Sequence, residues 1–183
     1  MRSAMTRTIA EASLLLAVSL FIVARAEAQA VMSFSGTAVA NEIDANDDGR
    51  TGYTVTFQGR GPFGNSVGGA HIEFYPWDGV SFCDTSSIRL NHSVWSGALT
   101  YANGDQLYVE LSDGTNCVNF VDGSTIEEVN LDVTGGNGRF EGATGSMAVS
   151  VRGEQLLSDD APSSRTAISA FRGTSTQDIV FPD

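Results

Sequence analysis

Apolar and polar residues alternate with period two along most of the chain after residue 30. Five segments show the pattern clearly, each with three apolar residues on one face: Tyr53, Val55 and Phe57; Ala70, Ile72 and Phe74; Leu107, Val109 and Leu111; Val129, Leu131 and Val133; and Met147, Val149 and Val151. Since period two places alternate side chains on opposite faces of a β-strand, each segment predicts a strand. Residues 166–173, TAISAFRG, predict a last strand. Helical periodicity is almost absent from the sequence.

Sequences that favour tight turns separate these segments, at intervals of about eight to twelve residues. They are NDDG, GPFGN, WDG, ANGD, SDGTN and TGGNG. Even spacing and short connections favour antiparallel pairing of consecutive strands. We therefore predict a single all-β domain of about eight or nine strands, either a sandwich or a barrel.

The segment TGGNGRFEGATG, residues 134–145, contains five glycines around one arginine and one phenylalanine. Glycine adopts positive φ and tight bends easily, so we expect residues 135–138 to form the corner between two neighbouring antiparallel strands. Phe140 is then the large apolar side chain that closes one end of the fold. Arg139 has two interpretations, a solvated charge at the rim or a group that binds a ligand there.

The longer stretch VTGGNGRFEGATGSMAVS resembles the GGTGRF-GATG signature of small bacterial exported proteins with an allene-oxide-cyclase-like barrel. It is also similar to the Gly-Gly-Thr-Gly segment of plant dirigent proteins, and it departs from both patterns at Asn137, where threonine is usual. Further segments in the same order extend the resemblance to the bacterial group over most of the chain: EIDANDDGRTG, GRGPFG, FCDTSSIRLNHSV and YANGDQLYVELSDGTNC. The resemblance implies one antiparallel β-barrel of about eight strands, or nine.

The resemblance also implies a type of function. The bacterial proteins are largely without assigned chemistry, whereas plant allene oxide cyclases and dirigent proteins bind apolar or phenolic intermediates in the barrel lumen. There they steer ring closure or coupling. No catalytic constellation of these families is recognisable here, so no catalytic residue is carried over.

The first thirty residues have the features of a secretory signal peptide. Arg2 and Arg7 give a basic start, residues 12–24 form an apolar run too short to span a bilayer, and small residues lead to Ala30. We predict a signal peptide over residues 1–30 and a barrel domain over residues 31–183. The protein is then secreted or periplasmic; the alternative is an uncleaved membrane anchor.

Charge and cysteine content narrow the choice of partners. The formal net charge is −12 and the chain has no lysine, so we expect neither nucleic acid nor an anionic membrane surface as a partner. The sequence does not indicate an oligomeric state.

In an oxidising compartment the two cysteines, Cys83 and Cys117, predict one disulfide. A metal or redox role is weakly supported, because only His71 and His92 could join them.

The segment DANDDGRTG matches the first half of a calcium-binding loop. Its oxygen ligands would come from Asp44, Asn46, Asp48 and the Arg50 carbonyl. The twelfth position, where such loops have a bidentate glutamate, is Val55. The half-match predicts weak calcium binding at best, and the alternative is a metal-free Asx-rich hairpin loop. We expect no other cofactor.

Familiar catalytic motifs are missing, including G-x-S-x-G, H-E-x-x-H and a phosphate loop. Glu127 and Glu128 are adjacent, so on a strand they point to opposite faces, and we interpret both as solvated surface acids. If the lumen binds a ligand, the candidates are polar residues that alternate with apolar ones, together with the rim arginine. They are Glu73, Tyr75, Arg89, Tyr108, Glu110, Asp132 and Arg139.

Two functions from different classes follow. The first is a secreted barrel that binds a small apolar or phenolic molecule in its lumen, with or without cyclase-like or isomerase-like steering. The second is a non-catalytic structural or interaction protein of the cell envelope, stabilised by the disulfide and by calcium. A lumen filled with apolar side chains favours the second, and a cavity with a few convergent polar groups favours the first.

Overall fold

A computed structural model describes residues 30–41, 51–158 and 166–182. Over these residues the chain forms nine β-strands and one short 3-10 helix, Gly138–Phe140. The strands are β1 (Ala30–Asn41), β2 (Thr51–Gly61), β3 (Gly64–Phe74), β4 (Phe82–Asp84), β5 (Ser87–Tyr101), β6 (Gln106–Asn119), β7 (Thr125–Asn137), β8 (Thr144–Ser158) and β9 (Thr166–Val180). Each predicted strand is present, which confirms the all-β class.

The sheet closes on itself. Its strand order is β3-β2-β1-β9-β8-β7-β6-β5, and an additional pairing between β3 and β5 completes a barrel of eight strands. All pairings are antiparallel. The short β4 pairs with the start of β5 and is an additional strand beside the eight strands of the barrel. A closed barrel rather than a sandwich is therefore the correct alternative, because closure leaves no long sheet edge unpaired.

The apolar face of each strand lies inside the barrel. Of the five apolar triplets, Tyr53, Phe57 and Leu111 are partly buried and the remaining members are buried. The residues between them are more exposed, as the burial pattern of β7 shows by its strict alternation from Val129 to Val133. Burial of this face, at about 25 cal/mol per Å² of apolar surface, is the main force that holds the fold together.

The glycine-rich segment forms the corner between β7 and β8, but the corner starts later than predicted. Gly135 and Gly136 still belong to β7, and the chain turns only from Gly138 onward. Gly138 has φ +59°, and a side chain there would collide with the Asp105 carboxylate. Phe140, at the end of the turn, is completely buried, which confirms that it closes one end of the barrel.

Cys83 in β4 and Cys117 in β6 form the predicted disulfide, with their Cα atoms 5.9 Å apart. The bond joins residues 34 positions apart in sequence. In the chain-entropy description a loop of this length stabilises the folded state by about 3–4 kcal/mol. The disulfide therefore joins β4 covalently to β6, a strand of the barrel wall.

Candidate functional site in the barrel lumen

The inside of the barrel, the lumen, contains a cavity of about 210 Å³. Aromatic side chains form much of its wall: Phe34, Tyr53, Phe57, Phe74, Trp95 and Phe171. Sites for drug-sized ligands have volumes of about 300–1,000 Å³, whereas an engineered apolar cavity of about 150 Å³ binds benzene. The lumen therefore has room for a small molecule of roughly one or two rings.

Glycines on the inner face let these rings pack across the lumen. The Phe57 ring lies directly over Gly68, so that a side chain at position 68 would overlap it. Phe34 lies between Phe57 and Phe171, with ring centroids 5.7 and 6.3 Å apart. The rings meet at tilted or edge-on angles, as aromatic pairs prefer. The wall thus offers flat apolar surfaces to an aromatic guest.

One carboxyl group faces this apolar cavity. Glu127 lies near the start of β7, on the inner face that continues through Val129 and Leu131. Its side chain is only 13% exposed. Its sequence neighbour Glu128 points outward, where its carboxylate accepts a hydrogen bond of 2.8 Å from the Ser150 hydroxyl. The expectation that both glutamates are solvated is therefore wrong for Glu127.

The environment of Glu127 favours its neutral form. Burial raises the pKa of the carboxyl from 4.5 to about 7, and a hydrogen bond from the Trp95 side chain opposes part of that rise. Of the described residues that line the cavity, none is an arginine that could compensate the carboxylate charge. A carboxyl group whose pKa is raised toward neutrality can either give or take a proton near pH 7.

His92 stands beside Glu127, with Nε2 3.1 Å from Oε1 of the carboxyl group and a fully buried side chain. Its ring packs against Phe74, with centroids 4.5 Å apart. Burial lowers the pKa of His92 to about 4, so the imidazole is neutral near pH 7. Among the described residues, neither ring nitrogen has a partner at good hydrogen-bond geometry. The pair is close but not locked in place.

A β-bulge in β5 places the His92 side chain on the inner side of the barrel. The register between β3 and β5 shifts between Glu73 and Phe74, which face Val94 and His92. Ser93 is the extra residue of this β-bulge, so the inward positions of β5 are even-numbered before it, as at His92, and odd-numbered after it, as at Trp95 and Leu99. Asn116 on β6 adds a further buried polar atom that lines the cavity, since its Oδ1 has no hydrogen-bond partner among the described residues.

We call this region the polar end of the barrel: His92, Asn116, Thr125 and Glu127. The opposite, plugged end consists of Phe63, Tyr101, Phe140 and Phe181, with Arg139 packed on them. Tyr101 stacks on Phe140 with centroids 5.0 Å apart. At each end of the barrel, the first residues of one strand lie beside the last residues of its neighbour, because neighbouring strands are antiparallel.

Arg139 is part of the plug. Its guanidinium lies 4.8 to 5.6 Å from the ring centroids of Phe140, Tyr101 and Phe63. Nη2 donates a 2.7 Å hydrogen bond to the Phe63 carbonyl, and Nε lies 3.3 Å from the Asp105 carboxylate. These contacts exceed those of a purely solvated rim charge, and they occur at the end of the barrel away from Glu127.

The seven residues proposed from sequence as ligand contacts do not line the lumen cavity. The structure places six of them on the outer side of strands or in an exposed loop, and Arg139 at the plug: Glu73, Tyr75, Arg89, Tyr108, Glu110 and Asp132. Tyr75 and Arg89 border a broad outer groove that also includes Asp113 and Glu128. A role of these residues in ligand binding stays a prediction.

The predicted calcium ligands, Asp44, Asn46, Asp48 and Arg50, lie outside the described residues. Within the described ranges, no cluster of three or more His, Cys, Asp or Glu side chains could hold a metal ion. The same ranges contain no helix that is long and apolar enough to cross a bilayer. Residues 1–29, which hold nearly all of the predicted signal peptide, are likewise outside the described part of the chain.

Comparisons with known proteins give one structural likeness. No protein-family model matches the chain, and no curated protein matches it. Among solved structures it is similar to a pterocarpan synthase dirigent protein, at 11% identity and with a TM-score of 0.17, over 81% of this chain and 83% of that chain. A likeness at this level carries no argument about this chain, neither about its fold nor about a ligand or reaction. The bacterial part of the sequence resemblance stays a prediction.

Proposed function

We propose that this barrel binds a small, mainly apolar or phenolic molecule in its lumen and steers its conformation during a cyclisation or isomerisation. The observation that carries the proposal is the cavity of about 210 Å³ lined by aromatic rings and by one buried carboxyl group. Apolar walls with a few convergent polar groups are typical of small-molecule sites. A purely structural barrel would gain stability by filling this space and by removing the buried carboxyl group.

The polar groups favour a guest with one hydrogen-bonding group. Glu127 and Asn116 Oδ1, which has no hydrogen-bond partner within the described part of the chain, both face the cavity at the polar end. A phenol hydroxyl could donate to either oxygen, while its ring packs on Trp95 or Phe74. Leaving a buried acceptor without a partner costs about 1–3 kcal/mol, so the ligand that restores this bond is favoured over its apolar analogue.

Export is part of the same proposal. The basic and apolar start of the chain supports a signal peptide, and the Cys83–Cys117 disulfide supports an oxidising compartment. An acidic chain without lysine is suited to a soluble exported protein.

Calcium binding by residues 44–50 remains an additional proposal. A rise in melting temperature in millimolar calcium, lost in Asp48→Ala, would support it.

The binding proposal is tested with p-cresol and p-xylene, which differ only by a hydroxyl in place of a methyl group. Isothermal titration calorimetry should show both binding to the wild type, with p-cresol about 5- to 150-fold tighter, as the recovered hydrogen bond of about 1–3 kcal/mol predicts. Val149→Phe, which fills the lumen, should abolish binding of both compounds. Wild-type affinity in that variant would contradict a site in the lumen.

The matched control is Val67→Phe. Val67 is 62% exposed on the outer side of β3, so the same change of side chain adds bulk outside the barrel. It should leave both affinities unchanged. Equal loss of binding in the two variants would show that the effect is general destabilisation and would remove the support for the lumen site. Thermal melts of both variants establish that each is folded at the temperature of the titration.

A further inference from the structure

The polar end contains more than a ligand contact. Glu127 is the one carboxyl group among the described residues that line the cavity, and it is held between two side chains of β5. His92 approaches its Oε1 to 3.1 Å from one side, and Trp95 donates a hydrogen bond to it. Both neighbours are neutral at pH 7, because burial lowers the pKa of His92 to about 4. The carboxyl group therefore has close polar neighbours but no cation that neutralises it.

From this geometry we propose that Glu127 is a general base and acid that moves a proton between two carbon atoms of a small aromatic or enone-like ligand in the lumen. The inference rests on the proposed lumen binding and adds a reaction class to it, a cofactor-independent 1,3-proton shift. His92 is a positioning residue, which acts on the ligand only through Glu127.

The reaction is balanced within the ligand and one side chain. The Glu127 carboxylate removes a proton from a carbon next to an electron-withdrawing group, and the C–H electron pair moves into the ligand's π-system. The protonated carboxyl then returns the proton to the far carbon of the same π-system, so the double bond moves by one position. Glu127 ends as it began, and no oxidant, reductant or metal takes part.

The surroundings favour such a proton transfer over simple binding. A carboxylate in water is a weak base, whereas one held in an apolar cavity is a stronger base, because burial raises its pKa. The groups that face Glu127 are His92 and Trp95 from β5, Asn116 from β6 and the apolar Val151 from β8. Tyr53 from β2 also lines the cavity. The bulge at Ser93 is a further local feature, since bulges often occur beside active sites.

A small carbon acid with a coloured product tests the first step, proton removal by Glu127, without knowledge of the natural ligand. The probe is 5-nitrobenzisoxazole, which fits a site of one or two rings. A base removes its ring C–H proton, the electron pair forms a nitrile, and the N–O bond breaks to give 2-cyano-4-nitrophenolate. The wild type should open this ring faster than acetate at the same concentration. Its rate should rise with pH around a midpoint near 7, as Glu127 ionises.

The decisive variant is Glu127→Gln, which keeps the size of the side chain and removes the base. Its kcat/KM should fall by about 10²-fold or more, the usual contribution of general base catalysis. Glu128→Gln is the matched control, because Glu128 is the next residue on β7 and points out of the barrel. It should keep the wild-type rate and midpoint. Full activity in Glu127→Gln would overturn the inference.

His92→Phe separates positioning from packing. The variant keeps a ring against Phe74 and removes the nitrogen beside the Glu127 carboxyl group. If Nε2 donates to the carboxylate, its loss should move the midpoint of the pH profile upward. A purely structural role would change stability and leave the midpoint in place. A lower rate with an unchanged midpoint therefore refutes the positioning role.

Failure of this inference differs from failure of the binding proposal. Calorimetric binding of p-cresol and of the probe, together with no turnover above the acetate rate, would leave the lumen as a binding site and reject Glu127 as a base. Absence of binding by p-cresol and by the probe would reject the lumen site and the proton transfer together. Glu127→Asp provides a second variant if Glu127→Gln is unstable: a shortened carboxylate should react more slowly with the same pH dependence.

Discussion

The two ends of the barrel contrast in what they bury. At the plugged end, the completely buried Phe140 packs on Tyr101, Phe63 and Phe181, and Arg139 covers the rings. At the polar end, Glu127 and His92 lie 3.1 Å apart beside an apolar cavity, and the strand register is broken at Ser93. One end follows the rule that apolar groups are buried, and the other departs from it.

The contrast shows where stability and function are separated in this fold. Burial of four aromatic rings stabilises the plugged end, whereas burial of a carboxyl group and an imidazole destabilises the polar end. Features that reduce stability are typical of functional sites, where local rules are broken and the rest of the fold compensates. The three changes below test whether the two ends differ in this way.

The largest effect is expected from Phe140→Ala at the plugged end. Removal of a completely buried phenylalanine should lower the free energy of unfolding by about 3–5 kcal/mol, a large part of the about 5–15 kcal/mol typical of a domain. Phe120→Ala is the control, because Phe120 is 61% exposed, and it should cost less than about 0.5 kcal/mol. Urea denaturation measures both. Similar losses in the two variants would show that Phe140 is not a special plug.

The next effect depends on pH and concerns the polar end. The folded-state pKa of Glu127 is raised from 4.5 to about 7, so between these values the folded chain keeps a proton that the unfolded chain has released. Glu127 therefore weakens the fold as pH rises through this window. At 1.36 kcal/mol per pKa unit, Glu127→Gln should gain up to about 3 kcal/mol relative to the wild type between about pH 4 and pH 8.

His92 makes the comparison with the variant necessary. Its folded-state pKa is lowered from 6.5 to about 4, so it weakens the fold as pH falls through that window. The effects of His92 and Glu127 on the wild type thus partly cancel between about pH 4.5 and 6.5. The difference between Glu127→Gln and wild type isolates the glutamate. Denaturation curves at each pH measure it, and a difference that does not change with pH would mean that Glu127 is not buried as described.

The smallest effect is expected from Arg139→Ala. The variant loses three ring contacts and the hydrogen bond to the Phe63 carbonyl, but the side chain is 38% exposed. A loss of about 1–2 kcal/mol is expected from these contacts. Arg152→Ala, an exposed arginine of β8, is the control and should change stability little. Equal effects would return Arg139 to the class of solvated rim charges. Affinity for p-cresol should be unchanged, since Arg139 lies at the other end.

Much of the site could be predicted in outline and little of it in detail. The apolar triplets identified the inner face of the strands, and the glycine-rich corner with Phe140 identified the plugged end. Glu127 could also have been found, because it lies at the period-two continuation of Val129, Leu131 and Val133. The sequence prediction places Glu127 at the surface instead, because an acid beside a second acid is usually solvated.

The sequence by itself determined the all-β class, six of the nine described strands, the disulfide pair and the apolar face, because period-two alternation and the spacing of turns are local properties of the chain. Only the tertiary structure decided that β3 pairs with β5 to close a barrel, that the apolar side chains leave a cavity, and that His92 lies inside. Alternation extended from Trp95 would point His92 outward. The bulge at Ser93 reverses that direction. A bulge depends on pairing between strands distant in sequence, so the local pattern does not contain it.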